Sequence, residues 1–333
     1  MNNKTVLILK DKIPANAAED LLDNEAESSL VSGVLRKLEY DVMVRDFDLN
    51  EIQALIDELT ITNPCFAVNL VETVDESTTM SFLSCSLLDN LNIRYTGSDA
   101  WVMYTTTNKA LTKRMLSSIG VRTPEWIENI GRGTFLSGEY YIIKPLNEDG
   151  SSYIDNASLI RCESEEELQT LLSVKSAEIC RECFAERYID GREFNISILG
   201  DNGEPIVLPV AEMLFIDYEK MNFPKILNYD AKWNKASFEY NNSIRRFTLN
   251  EEDQDLIEQM RQIAQKCWKH YRLKGYARID FRVDQYNVPW VIEINANPCI
   301  AEDSGFVAAA EKAGIGIEEL VKQIICEAGV RYE

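Results

Sequence analysis

Histidine is almost absent from this chain: His270 is the only one in 333 residues. Zinc sites built from several imidazoles are thereby excluded, and a Ser-His-Asp relay is disfavoured. His270 closes the run EEDQDLIEQMRQIAQKCWKH, in which Leu256, Ile257, Met260, Ile263, Ala264 and Cys267 recur at helical spacing, so it is expected to cap the negative end of that helix. Basic residues are also scarce, with 34 Lys and Arg against 55 Asp and Glu and a formal charge of −21. Such a surface argues against nucleic acid as partner, although a small phosphate needs only a few local cations. No apolar run approaches the roughly 20 residues of a membrane span, and the opening VLIL is too short for a signal sequence. The protein is expected in the cytoplasm, its eight cysteines reduced. Cys180 and Cys183 form a lone CxxC with no second pair, which reads as packed or surface thiols rather than zinc ligands.

What is present is enough for two or three domains, with 45% hydrophobic residues to fill their cores. Over residues 1–97, strand-like runs (TVLIL, DVMVRDF, PCFAVNLV) alternate with helix-like ones, which implies a parallel sheet covered by helices. Residues 98–185 read as a small α+β unit. They hold one helix through TTTNKALTKRMLSSIG, the strand YYIIKP, a Gly/Ser turn LNEDGSSY and a Ser-capped acidic helix start at SEEELQTLLSV. Residues 186–333 form the third unit, with a polar, aromatic stretch from Asp217 to Arg246 that reads as a large loop. Two helices close it, within SGFVAAAEKAGIGIEELVKQIICEA.

The stretch GYARIDFRVDQYNVPWVIEINANPC carries the chemistry. Arg278, Asp280 and Arg282 share one face of its first run, and Glu293 and Asn295 one face of its second, with Val291 in register before them. A turn through Asp284 to Pro289 makes the runs antiparallel neighbours. Three convergent oxygen donors, Asp280, Glu293 and Asn295, suit Mg²⁺. The alternative is that Arg278 and Arg282 merely pair with the carboxylates on a solvated face. Lys144, ending YYIIKP just before EDGSSY, can present an ammonium and backbone N–H groups to phosphates. Lys232, in NYDAKW, lies where a mobile lid would bring it over a nucleotide. Glu186 and Glu193 bracket RYIDGR, and each has an arginine nearby to pair with.

In order, YTGSDAWVMYTTTNKALTKRML, YIIKPLNEDGSS, AERYIDGREFNISILG, NYDAKW, GYARIDFRVD and VIEINANPCIAEDSGF resemble the ATP-grasp superfamily, in its D-alanine–D-alanine ligase-like branch. The likeness spans about Tyr95 to Phe306; the first domain resembles the family in layout, as the domain preceding the ATP-grasp unit. It implies that Lys109 and Lys144 hold ATP phosphates and that Ser151 and Ser152 lie on the loop closing over them. Glu186, Tyr188, Ile189 and Glu193 build the adenine and ribose pocket, and Lys232 reaches the γ-phosphate. Asp280, Glu293 and Asn295 bind magnesium, two ions being expected, and Arg278 stabilises charge at the transferred phosphoryl group. Ser304 and Gly305 grip the carboxylate of an amine-donating amino acid. The implied activity is an ADP-forming carboxylate–amine ligation through an acylphosphate; the alternatives are a small-molecule kinase and a non-catalytic nucleotide-binding module. Homodimers are common among such relatives.

The departures fall in the acyl-donor half. No glycine precedes Gly33 where the family has a Gly-rich turn, and FAVNLVETVDEST lacks the family's histidine and glycines. SSYID replaces a small Val-Gly pair, and Cys299 stands where glycine is usual. They point away from D-alanine dimerisation and towards a variant pocket contacted by Asn69 and Glu72. The alternative for Glu72 is a solvated loop carboxylate, and for Cys299 a packing role.

Overall fold

The computed structural model describes residues 4–14, 17, 19–129 and 132–330. The first sheet is parallel and ordered β2-β1-β3, from β1 (Thr5–Asp11), β2 (Asp41–Phe47) and β3 (Phe66–Asn69). Strands β1 and β3 are buried on both faces, as continuous apolar runs such as VLIL require, while the edge strand β2 is only half-buried. Helix α1 (Glu19–Lys37) covers one face, and α2 (Ile52–Thr62) and α3 (Phe82–Asn90) the other.

Two helices follow where the sequence suggested one. Asn108 leaves the helical region (φ −79°, ψ 101°) and its side chain accepts from Leu111 N–H, which ends α4 (Ala100–Thr107) and starts α5 (Lys109–Ser118). An asparagine that can cap competes with helix continuation, and here capping wins. Lys109 thus opens α5. Val102, Met103 and Leu116 of these helices pack in the core of the third sheet rather than the second.

The second sheet has the order β5-β4-β8-β6-β7, from β4 (Trp126–Asn129), β5 (Arg132–Gly133), β6 (Tyr140–Pro145), β7 (Leu159–Arg161) and β8 (Cys183–Arg187). Leu168 and Leu172 of α6 (Glu165–Ile179) close its core. Ser164 caps α6 as expected, accepting from Glu167 N–H. Because β8 pairs with both β4 and β6, Glu186 belongs to this sheet, and the two sheets divide between Arg187 and Arg192, past the expected boundary after residue 185. In the CxxC, Cys180 is exposed and Cys183 buried, both as free thiols.

The third sheet runs β12-β11-β9-β13-β14, with β10 beside β9. Its strands are β9 (Arg192–Asp201), β10 (Glu204–Val207), β11 (Ala211–Phe215), β12 (Ser243–Arg246), β13 (Tyr276–Val283) and β14 (Pro289–Asn295). The stretch from Asp217 to Arg246 is therefore not one large loop. It holds α7 (Tyr229–Trp233), α8 (Phe238–Asn242) and the edge strand β12. Asn228 and Ser237 cap the two helices, and Tyr218, Phe223 and Phe238 form an aromatic cluster beneath them. Those aromatics give so polar a segment something to fold on.

Helix α9 (Gln254–Tyr271) backs this sheet. His270 lies in its last turn, but the C-cap is Arg272, in the left-handed region. Helices α10 (Gly305–Lys312) and α11 (Ile317–Glu327) share one core with the first sheet, where Phe306, Leu320 and Ile324 meet Val6, Ile8 and Leu35. Among the described residues no helix is long and apolar enough to cross a membrane.

Candidate functional site

The second and third sheets, the loop after β3 and the N-terminal ends of α1 and α10 enclose one cavity of about 500 Å³. Its floor is the third sheet. In register, Asp280 faces Glu293 on one side and Asn195 on the other, and Arg278 faces Asn295. The antiparallel pairing inferred from the sequence thus brings Asp280, Glu293 and Asn295 together. The detail at Val291 differs. A bulge between Asp280 and Phe281 sets Phe281 opposite Val291, so Val291 turns into the core and Ile292 lines the cavity beside Glu293.

The arginines are not a solvated fringe. Arg278 grips Asp280 (Nε to Oδ1 2.9 Å, Nη2 to Oδ2 2.9 Å), while Asn195 donates to the same carboxylate at 2.8 Å. Arg282 is 4% exposed and pairs with Glu193 at 3.1 Å, not with Glu293. It also donates to the carbonyls of Ile189 and Lys225 and stacks over the Tyr188 ring, which fixes the Tyr188–Ile189 segment. Burial pushes the Glu193 carboxyl up against the pull of Arg282.

Lys109 reaches the same floor. Its ammonium donates to Asp149 Oδ1 at 2.8 Å and sits 3.6 Å from Glu293 Oε1. Burial opposes charge on Glu293, yet Lys109 and Lys232 outweigh it and hold its carboxyl far below the usual range. Carboxylate oxygens beside an amide oxygen are hard donors, so Asp280, Glu293 and Asn295 fit a magnesium ion.

Across the cavity, Glu186 takes two lysines at once. Lys144 bonds its Oε1 and Lys113 lies 2.7 Å from Oε2. Burial works against this charge too, but the two ammonium groups lower its pKa to about 2. The sequence reading missed Lys113. Its signal was there: it follows Lys109 by one turn on the same helix face. Asp149 and Asn195 were likewise overlooked.

The turn after β6 is held in unusual backbone conformations, with Gly150, Ser151 and Tyr153 all at positive φ (67°, 63°, 63°). Trp233 Nε1–H donates to Gly150 O at 2.8 Å and Ser151 Oγ–H to Leu227 O at 2.6 Å, so α7 and its approach clamp this turn. Ser151 lines the cavity; Ser152 does not, and its hydroxyl turns back to Asp149 O. Lys232 stands on α7 in the cavity wall rather than on a loop, and burial and Arg278 push its pKa down.

Towards α10, the Ser304 hydroxyl accepts from Val307 N–H, capping the helix whose first residue is Gly305. A Cβ at Gly305 would lie 3.1 Å from Arg245 Nη2, so glycine keeps this passage open. Arg245 lines the cavity and makes no hydrogen bond or ion pair among the described residues; it too was missed. On the opposite side, Glu19, Asp23, Glu72 and Cys299 line the cavity. Glu72 is therefore a wall residue, not a solvated loop carboxylate. Asn69 is not brought to the cavity: it is 3% exposed and its amide donates to Cys85 Sγ. Behind Glu72 lies Glu27, which burial pushes up to about 8.

A nucleotide-sized cavity between two antiparallel sheets, floored by carboxylates and ringed with lysines, behind a parallel α/β domain, is the layout of an ATP-grasp ligase. Residues 139–326 match the family described as D-ala D-ala ligase C-terminus. The D-alanine–D-alanine ligase of Aquifex aeolicus is 33% identical over 72% of this chain and 75% of its own length. That of Thermotoga petrophila is 32% identical over 94% and 96%. In structure, the D-alanine–D-alanine ligase of Bacillus anthracis complexed with ATP superposes with a TM-score of 0.70 over 97% of each chain, at 20% identity. The chain belongs to the D-alanine–D-alanine ligase family. It is an ATP-dependent, ADP-forming ligase that makes C–N bonds.

Proposed function

We propose that the enzyme joins an amino acid, or a small carboxylic acid, to an amino acid, with roles divided along this cavity. The observation that carries the reading is the single floor on which Glu193, Asn195, Arg278, Asp280, Glu293 and Asn295 line one cavity with Lys109, Lys144 and Lys232. Lys109 and Lys144 hold the phosphates under the turn that bears Ser151, whose neighbour Ser152 braces it through Asp149. Glu186, Tyr188, Ile189 and Glu193 take the adenine and ribose. Asp280, Glu293 and Asn295 would hold magnesium, two ions in this reading, which when bound supplies charge neutralisation at the phosphates.

The donor carboxylate oxygen attacks the γ-phosphorus as the bond to the ADP oxygen breaks, with Lys232 and Arg278 facing the transferred charge. The amine nitrogen then attacks the acylphosphate carbonyl, the C–O bond to phosphate breaks, and the amine loses a proton. Arg278 stabilises the oxyanion between those steps. Ser304, Gly305 and the unpaired Arg245 receive the acceptor's carboxylate, while Glu72 meets the donor. Asn69, with its amide spent on Cys85, shapes that wall from behind. The partners are small molecules, the compartment is the cytoplasm, and a homodimer is the analogous assembly, which sedimentation would test.

The experiment is phosphate release from ATP and Mg²⁺ across pairs of D- and L-amino acids, with mass detection of products. A dipeptide-like product with stoichiometric ADP is the expected result. ADP release that no amine accelerates would favour a kinase, and ATP binding without turnover a nucleotide-binding module.

A further inference from the structure

Three segments from different parts of the chain converge at the donor side of the cavity: α1, the loop after β3 and the loop after β14. They bring Glu27, Glu72 and Cys299 together, with one oxygen of each carboxylate and the sulfur all within 4.8 Å of one another. Glu27 is 1% exposed; its Oε1 accepts from Ile300 N–H at 2.8 Å, and its Oε2 has no hydrogen-bond partner. Glu72 and Cys299 line the cavity, so the group is closed behind and open in front. No lysine or arginine pairs with either glutamate among the described residues. Lys10, on the nearby strand, is held by Glu25 and Asp46 instead.

We propose that Glu27, Glu72 and Cys299 form a binding site for a thiophilic divalent cation of the zinc type, separate from the carboxylates of the sheet floor. Two carboxylates and a sulfur are a donor set that zinc takes, with remaining positions left for water or a ligand from the cavity. An ammonium group would use the carboxylates but gains little from sulfur, so the third corner favours a metal. The surroundings hold the ligands in place as metal sites require. Ala301 N–H points at Cys299 Sγ (3.3 Å) beside the Ile300 N–H bond to Glu27. The backbone of Glu72 is pinned by its N–H bond to Asp11 Oδ1 at 2.8 Å, and Thr73 bonds the same carboxylate. An ion here would draw the three segments together and present its open positions to whatever enters from the donor side. This inference does not depend on the ligase reading.

The test is a cobalt titration of the full-length protein, stripped of metal by a chelator and free of nucleotide. The expected result is a thiolate-to-cobalt charge-transfer absorption that saturates with a single ion and is displaced by zinc. The sheet floor has no sulfur, so cobalt bound there cannot produce it. Cys299→Ser should abolish the absorption, and Glu27→Gln and Glu72→Gln should each weaken cobalt binding by at least roughly tenfold. Replacing Cys180 and Cys183 by serine should leave it unchanged. Absence of the absorption, or its persistence in Cys299→Ser, overturns the proposal. Should Cys299→Ser fail to fold, Glu72→Gln reads the same site, and an unchanged cobalt affinity there overturns it.

Discussion

Glu186 and Glu27 are buried to nearly the same extent, 3% and 1% exposed, and live under opposite conditions. Glu186 sits between Lys113 and Lys144 and stays ionised down to a pH of about 2. Among the described residues Glu27 has a single N–H donor and no cation, and it keeps its proton up to a pH of about 8. Burial works against both charges, and what separates them is the partners each neighbourhood supplies. Around Glu186 and the sheet floor, carboxylates lie beside cations, with Lys109 shared by Asp149 and Glu293. On the opposite side, Glu27 and Glu72 have no lysine or arginine partner among the described residues.

The contrast can be broken at several points. The largest effect is expected at the floor, where Asp280→Asn or Glu293→Gln should lower turnover by roughly a thousandfold or more while the protein still folds. Full ADP release by either variant would remove the floor carboxylates from the chemistry. Next comes Glu186→Gln, which strands two lysines, one of them buried to 1% exposure, and should cost about 3–5 kcal/mol in urea unfolding. The same variant sharpens the pH comparison. A carboxyl depressed from 4.5 to about 2 contributes stability that is present above pH 4.5 and lost as the pH falls towards 2. The parent's stability should therefore drop more steeply across that window than the variant's.

Lys232→Ala should lower kcat by about a hundredfold while changing stability little, because burial opposes its charge and its ammonium makes no close ion pair among the described residues. A loss of stability without a loss of rate would make Lys232 a structural residue. The smallest effect is expected for Glu27→Gln in the metal-free protein. The group is already neutral below a pH of about 8, so thermal unfolding at neutral pH should move by no more than about 1 kcal/mol. A cost like that of Glu186→Gln would show that the two glutamates do not differ in kind.

Much of the floor was legible because β-strand chemistry repeats with period two. Charges at 278, 280 and 282 among apolar neighbours can only mean one polar face, and a short turn fixes the partner strand. The bulge that swaps Val291 for Ile292 leaves no such trace, since both residues are aliphatic. Lys113 stayed hidden because a lone lysine on an amphipathic helix reads as solvent-facing until the opposing Glu186 is in place. The segment from Asp217 to Arg246 read as a loop because its structure rests on aromatic contacts from scattered positions rather than on periodicity. Asn69 was placed at the pocket from the order of motifs, but strand alternation at the end of β3 directs its amide to Cys85. The donor side was the least readable part, being assembled from three distant segments that share no local pattern.

The shared core of the first sheet with α10 and α11 has a consequence for biosynthesis. Val6, Ile8 and Leu35 leave the ribosome well before Phe306, Leu320 and Ile324, the side chains that pack with them. Until α10 and α11 have been made, that face of the first sheet is covered by α1 alone and keeps apolar surface exposed, a substrate for chaperones and a route to aggregation. A chain stopped before residue 305 would keep that surface exposed for good. Premature termination close to the end is thus expected to produce insoluble protein, although every residue of the nucleotide floor has already been made.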